Sequence, residues 1–338
     1  MRVLVTGGTG FVGCHTVAAL AERGHAVRLL VRNPARVTAS LAPFGIRDVE
    51  TVVGDVTDAA AVERAIAGVD ALVHAAALFT LDRRRDAAVM RVNVEGAERV
   101  LGAAVRAGLD PIVHVSSVSA LFPPTGDRLT PDEPVKQPRE PYASSKAAAE
   151  RMVRGLQEQG APLVSVYPGS VWGPCDPTLA EGIRLIMRFV SAGFIPVTPG
   201  GIPVVDVRDI AAVHAAAMVP GRGPKRYMVG GNFLSNSDLT DVLNAVTGRH
   251  LRKIWVPGSV LRGVGRVGDR LGRHLGLGIA LTYEATSTLT HGVPSDDSRI
   301  VEELGVRCRP AEETLRDALR WMFEQGHVSA RAVGRLAE

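Results

Sequence analysis

Tyr142 and Lys146 stand one helical turn apart in a chain of 338 residues that carries four lysines against thirty-five arginines. Where positive charge is otherwise written as arginine, a lysine at this spacing points to a task that a fixed guanidinium fork cannot do. A compact, rotatable ammonium can sit beside a phenol and lower its pKa. Free tyrosine has a pKa near 10, so about one phenol in a thousand is ionised at pH 7. With a cation alongside, the same group can give a proton to a carbonyl oxygen, or take one from an alcohol, at working pH.

Other chemistries find little support. Cys14, Cys175 and Cys308 lack metal-ligand spacing, and the nine histidines form no HExxH pattern, so no metal is expected. A net charge of +4 gives no ground for a nucleic-acid partner. The chain enters an apolar run at Arg2 without a signal-type n-region, and no uncharged run reaches the roughly 18 residues of a membrane span. A cytoplasmic enzyme is the expectation.

The elements that must position Tyr142 and Lys146 alternate. Strand-like runs at Val3–Thr6, Val27–Val31, Glu50–Val53, Ala71–Ala75, Ile112–Ser116 and Leu163–Tyr167 are separated by helical stretches at Phe11–Arg23, Ala59–Ala67, Asp86–Ala107 and Pro141–Gln159. Short, continuously apolar strands, each followed by a helix, predict an α/β fold: a doubly wound parallel sheet of Rossmann type. After Pro174 the rhythm shifts to longer helices with Pro/Gly breaks. The expected division is residues 1–174 as the dinucleotide-binding domain and 175–338 as a smaller substrate lobe. Pro203–Val207 is expected to add a strand back to the sheet.

The first strand runs into Thr6-Gly-Gly-Thr-Gly-Phe-Val-Gly13 and then a helix. Gly7, Gly10 and Gly13, with Thr9, Phe11 and Val12, form a glycine loop whose backbone can approach a pyrophosphate at a helix N-terminus. About twenty residues on, an acid would mark NAD. The chain instead reads Val31-Arg32-Asn33-Pro34-Ala35-Arg36, in which Arg32 and Arg36 could clamp a 2′-phosphate. NADP is therefore expected ahead of NAD. In Gly54-Asp55-Val56, Asp55 could accept from the adenine amine while Val56 packs on the ring. A turn aspartate is the plainer alternative.

These residues resemble the extended short-chain dehydrogenase/reductase family. The matching pieces are TGGTGFVG at 6–13, GDV at 54–56, HAAA at 74–77, RVNVEG around Asn93, HVSS at 114–117, YASSK at 142–146, YPGSVWGP at 167–174 and DDSRIVEELG at 296–305. They span nearly the whole chain in order. Within the family the chain is similar to the dihydroflavonol-reductase and 3β-hydroxysteroid-dehydrogenase branch, and to proteins named NAD-dependent epimerase/dehydratase. Sugar-nucleotide epimerases carry an arginine before a VxD element, whereas Pro199–Asp209 has apolar residues there, so a nucleotide-sugar substrate is not expected.

The resemblance implies roles. Tyr142 would be the general acid/base, Lys146 would also reach the ribose hydroxyls of the cofactor, and Ser117 would bind the substrate oxygen, with Ser116 a competing choice. Asn93 would position a helix backbone beside the lysine; a helix N-cap is the competing reading. Ala75, Ala76 and Ala77, and the backbone of Pro168, Gly169 and Val171, would touch the cofactor, the latter at its carboxamide. A homodimer packed through the Asp86–Ala107 and Pro141–Gln159 helices is also implied.

Phe79, Leu81, Leu121, Phe122 and Trp172, with Phe189 and Phe194, are the expected pocket walls, apolar as for a hydrophobic ketone, aldehyde or alcohol. Reduction or oxidation of such a substrate is the leading function. An epimerase or dehydratase of a sugar-type substrate with tightly bound NAD(P), and a non-catalytic NADP sensor, are the alternatives. Residues 259–275 form one more expected helix, with Val260, Val264, Val267, Leu271 and Leu275 on one face and Arg262, Arg266, Asp269, Arg270 and Arg273 opposite. Four glycines weaken it by about 0.8–1 kcal/mol each, so it needs a surface. A mobile lid over the pocket and peripheral contact with an anionic membrane are the two expectations.

Overall fold

The computed structural model describes residues 1–80, 83–275 and 283–338. In chain order the first half comprises β1 (Arg2–Thr6), α1 (Phe11–Glu22), β2 (Ala26–Val31), α2 (Ala35–Leu41), β3 (Glu50–Val53), α3 (Ala59–Ile66), β4 (Ala71–His74), α4 (Asp86–Met90), α5 (Gly96–Arg106), β5 (Ile112–Val115), α6 (Pro141–Glu158) and β6 (Leu163–Pro168). A π-helical turn, Arg91–Glu95, joins α4 to α5 without a break. There follow β7 (Ser170–Trp172), α7 (Glu181–Ala192), β8 (Phe194–Val197), β9 (Gly201–Asp206), α8 (Val207–Ala216), β10 (Lys225–Val229), β11 (Asn232–Ser235), α9 (Asn236–Thr247), β12 (Arg252–Trp255), α10 (Gly258–Leu275), α11 (Tyr283–His291), α12 (Ser298–Leu304) and α13 (Ala311–Glu324).

Seven strands form one parallel sheet in the order β10-β6-β5-β4-β1-β2-β3. Its central strands are apolar at successive positions because both faces are covered. Val3 and Val5 point into a core with α1 and α8, while Leu4 points the other way, into a core with α3, α5 and α6. This is the two-residue alternation of a strand, with both sides buried.

The expected return of Pro203–Val207 to this sheet is corrected. Gly201–Asp206 lies between β7 and β11 in a separate three-stranded sheet, where burial on every position accounts equally well for its apolar run. The strand that returns is β10, pairing with β6 from Lys225 to Val229. The remaining elements enclose a second core around Trp172, Ile186, Leu239, Leu243, Leu315 and Leu319.

Candidate active site

The sheet order changes direction at β1, which lies between β4 and β2; a crevice beyond such a point is where open α/β sheets bind ligands. The glycine loop is packed against the end of β4. Gly7 has φ +75°, and a Cβ there would come within 2.7 Å of the Ala75 carbonyl carbon and the Ala76 nitrogen. At Gly13 a Cβ would lie 2.0 Å from the Gly7 oxygen, so only glycine lets α1 start this close to the loop. Gly10 caps α1 without a side-chain hydrogen bond, and the first turn holds no acid. That leaves a helix N-terminus suited to an anion. Thr6 Oγ1 pairs with His74 Nδ1 at 2.7 Å and accepts the Ala76 N–H at 3.3 Å, tying β1 to β4. These features fit a dinucleotide, whose pyrophosphate Gly7, Thr9, Gly10, Phe11, Val12 and Gly13 could hold.

At the end of β2, the Arg32 side chain is exposed, with Nε 4.0 Å from Asp55 Oδ2. Arg36 is exposed on α2. Asp55 Oδ1 accepts from the Thr57 N–H at 2.9 Å and from its hydroxyl at 2.8 Å, closing the turn after β3. Burial opposes the Asp55 charge, but the Thr57 bonds and Arg32 outweigh it and hold the carboxyl below its usual range. Val56 is buried against Gly96.

The Tyr142–Lys146 pair lies where α6 meets the end of β5. Pro141 opens the helix, which suits a residue with no N–H to satisfy, and Tyr142 follows. Lys146 is buried, with Nζ 6.0 Å from the Tyr142 ring centroid and donating to the Val115 carbonyl at 2.9 Å. Burial pushes its ammonium down to about 8, with Glu150 pulling the other way. Beneath it His74 and His114 stack, their rings 5.9 Å apart. Burial, with Lys146 second, lowers His74 to about 3 and His114 well below its ordinary value. Both are therefore neutral, and Lys146 is the cation of this cluster. Phe79 meets Tyr142 edge-on at 4.6 Å.

Ser117 is extended and partly exposed, its Oγ accepting from the Ser119 N–H at 3.2 Å and the Ser119 hydroxyl at 2.9 Å. Ser116 is buried, and its Oγ has no partner among the described residues. The neighbouring serines thus differ: Ser117 is partly exposed and bonded to Ser119, whereas Ser116 is buried. Asn93 sits inside the π-helical turn, so it is no N-cap. It bonds Leu78 and Ser145 instead. π-turns inside α-helices are frequent at functional sites.

A cavity of about 830 Å³ is lined among others by Val118, Ser119, Phe122, Lys136, Ala143, Tyr283 and His291, so that it takes in the chain neighbours of Ser117 and Tyr142 but not Ser117, Tyr142 or Lys146 themselves. Of the expected walls, Phe122 lines it and Phe79 lies against Tyr142. Leu121 and Trp172 do not line it, because both are fully buried, in the small core around Tyr167 and in the second core respectively. Phe189 is also core, Phe194 is exposed on β8, and Leu81 lies outside the described residues. Ser119, Lys136, Tyr283 and His291 carried no periodicity or motif that could have marked them.

The expected lid is also corrected. The face of α10 bearing Val260, Val264, Val267 and Leu271 is exposed, and none of the four lines the cavity. Leu261, Gly265 and Gly268 are its buried positions. The side chain of Leu275 lies outside the described residues. Among the described residues no His/Cys/Asp/Glu group could hold a metal, and no helix is long and apolar enough to cross a membrane.

Residues 3–230 match the NAD dependent epimerase/dehydratase family. The chain is 31% identical over 282 residues, covering 77% of this chain and 74% of the relative, to the 3-beta-hydroxysteroid dehydrogenase of Mycolicibacterium neoaurum. It is 31% identical over 332 residues, 95% of this chain and 96% of the relative, to the 4-hydroxy-2-methyl-3-oxo-4-farnesyl-3,4-dihydroquinoline-1-oxide ketoreductase of Stigmatella aurantiaca. Among solved structures, that of gox2253 is similar at TM-score 0.81 and 30% identity, covering 97% of this chain and 99% of that one.

Proposed function

From membership of the NAD dependent epimerase/dehydratase family, to which this chain belongs as an NAD(P)-dependent oxidoreductase of the extended short-chain dehydrogenase/reductase type, we propose that it interconverts an apolar ketone or aldehyde and its alcohol, with NADP(H) as cofactor. The observation that carries this reading is the buried Lys146 ammonium beside Tyr142, whose chain neighbour Ala143 lines a largely apolar cavity.

A bound nicotinamide supplies or accepts hydride at its C4. The chain does the rest. Ser117 Oγ orients the substrate oxygen, and the Tyr142 hydroxyl gives it a proton in reduction or takes one in oxidation. Lys146, cationic below about pH 8, stabilises the phenolate formed when that proton leaves. Because His74 and His114 are neutral, no second cation competes for it from below. Asn93 acts at one remove, by fixing Leu78 and the α6 backbone near Ser145. Arg32 and Arg36 would meet a 2′-phosphate, Asp55 and Val56 the adenine, and Ala75, Ala76, Ala77, Pro168, Gly169 and Val171 the nicotinamide half.

The names of the relatives, a hydroxysteroid dehydrogenase and a ketoreductase for a farnesylated ketone, support an apolar substrate. The interior of β9 supports it too: the positions before Asp206 are apolar and buried, and Arg208 is engaged by Asp206 and Asp317, away from any substrate diphosphate. A homodimer through the α4–α5 and α6 faces belongs to the same reading. The test is NADPH consumption with aromatic, steroid and aliphatic carbonyls. Stoichiometric oxidation of NADPH with formation of the alcohol is expected; interconversion of isomers with no net cofactor turnover would make the protein an epimerase.

A further inference from the structure

Amphipathic helices ordinarily turn their apolar stripe inward, and α10 does not. Val260, Val264, Val267 and Leu271 are between 45% and 54% exposed. The chain reaches α10 from β12, where Ile254 is exposed and Trp255 is 72% exposed, and β12 pairs with β8, which bears the exposed Phe194. Exposed apolar residues grouped on one helix face and on the strand leading into it suit an interaction site.

What holds α10 in place is its other side. Arg262 Nη1 donates to Thr290 Oγ1 at 3.1 Å, Arg266 lies over the Tyr283 ring at 4.9 Å, and Asp269 accepts the Tyr283 N–H at 3.2 Å. The helix is thus fastened to α11, whose Tyr283, Ser287 and His291 line the cavity. The apolar stripe lies on the outside of a cavity wall.

The charge around the stripe selects its occupant. Residues 258–275 hold four arginines and one aspartate; Asp269, Arg262 and Arg266 are turned towards α11. Arg270 is exposed on α10, Arg252 on β12, and Arg84 and Arg85 on the Arg83–Arg85 turn, which packs on α10. A second copy of the chain, docked through this same patch by two-fold symmetry, would bring one basic border against another. An anionic bilayer surface accepts both the stripe and its basic border, and an aromatic such as Trp255 suits the headgroup level.

We propose that the exposed face of α10, with Trp255, docks this protein on anionic lipid bilayers. Docking does not depend on the reaction proposed above. If that reading also holds, the cavity wall rests on the phase into which apolar substrates partition.

The experiment is flotation of the full chain with vesicles of phosphatidylcholine alone and of phosphatidylcholine with about one-third phosphatidylglycerol, at low and high salt. About ten-fold more protein is expected on the anionic vesicles, falling with salt, together with a blue shift of Trp255 fluorescence. Val264→Glu/Leu271→Glu should abolish the binding and the shift, and Arg270→Glu should weaken both, with unchanged elution volume and NADPH affinity. Equal or absent binding to the two vesicle types, or undiminished binding by these variants, would overturn the proposal. So would vesicle-free wild type whose dimer is split by the double substitution, since the stripe would then cover a second copy.

Discussion

Asn93 holds Leu78 by both of its backbone groups: Oδ1 accepts the Leu78 N–H at 2.7 Å and Nδ2 donates to its carbonyl at 3.1 Å. The same Nδ2 donates to Ser145 Oγ at 2.9 Å. One side chain in the π-helical turn therefore joins the segment after β4 to the helix of Tyr142 and Lys146. Phe79, the next residue along, packs on the Tyr142 ring.

Asn93→Ala should accordingly cost both stability and turnover. Each backbone group left without a partner costs about 1–3 kcal/mol. Thermal melting should fall, and kcat should fall more than KM rises, because the loss is in the placing of Tyr142. A variant with wild-type kcat would remove Asn93 from the account.

Gly13→Ala should abolish cofactor binding, since the new Cβ would fall 2.0 Å from the Gly7 oxygen and push α1 off the loop. Fluorescence titration with NADPH measures it. Unchanged affinity would mean that the glycine loop is not the pyrophosphate site.

Arg32→Asp should weaken NADPH binding and relatively favour NADH. The exposed Arg32 guanidinium would pair with the 2′-phosphate, whereas an aspartate repels that group and accepts from a ribose hydroxyl. Titration of both cofactors checks it. Wild-type binding of NADH as tight as NADPH would refute the NADP assignment.

Stability should fall as pH drops below the ordinary histidine range. Burial lowers His15 to about 4, His74 and His214 to about 3, and His114 well below the ordinary 6.5. Between pH 6.5 and about 4 the unfolded chain takes up these protons and the folded chain refuses them, so stability is full above 6.5 and lost as pH falls. Asp209, raised to about 6 chiefly by burial, works in the opposite sense over the same window. The lowered histidines outnumber the one raised carboxyl, so protons are taken up on balance when the chain unfolds near pH 5. Denaturant titrations at pH 7 and pH 5 should show the loss; equal midpoints would contradict it.

Much of the nucleotide end was legible because its constraints are local. The glycine loop, the apolar runs of β1 to β6 and the lysine one turn after Tyr142 each dictate their own geometry. What escaped depended on distant partners. The Gly201–Asp206 run is apolar because β7 and β11 flank it, and nothing in the run itself distinguishes that from a place in the main sheet. Trp172 lies within the 167–174 motif, but alternation along β7 turns it into the second core, and it does not line the cavity. For α10 the period of the stripe was visible, yet Leu261, Gly265 and Gly268 rather than the valines are its packed positions, and only the position of its neighbours decides that.

The central claim is that Tyr142 protonates a substrate carbonyl as NADPH is oxidised, and its direct test is the rate of NADPH oxidation by Tyr142→Phe with the ketone that wild type reduces fastest. The substitution removes one hydroxyl and little volume. The rate should fall by about 10²–10⁴ while NADPH affinity and melting temperature stay close to wild type. Retention of more than about a tenth of the wild-type rate, below the smallest loss expected of a general acid, would contradict the account.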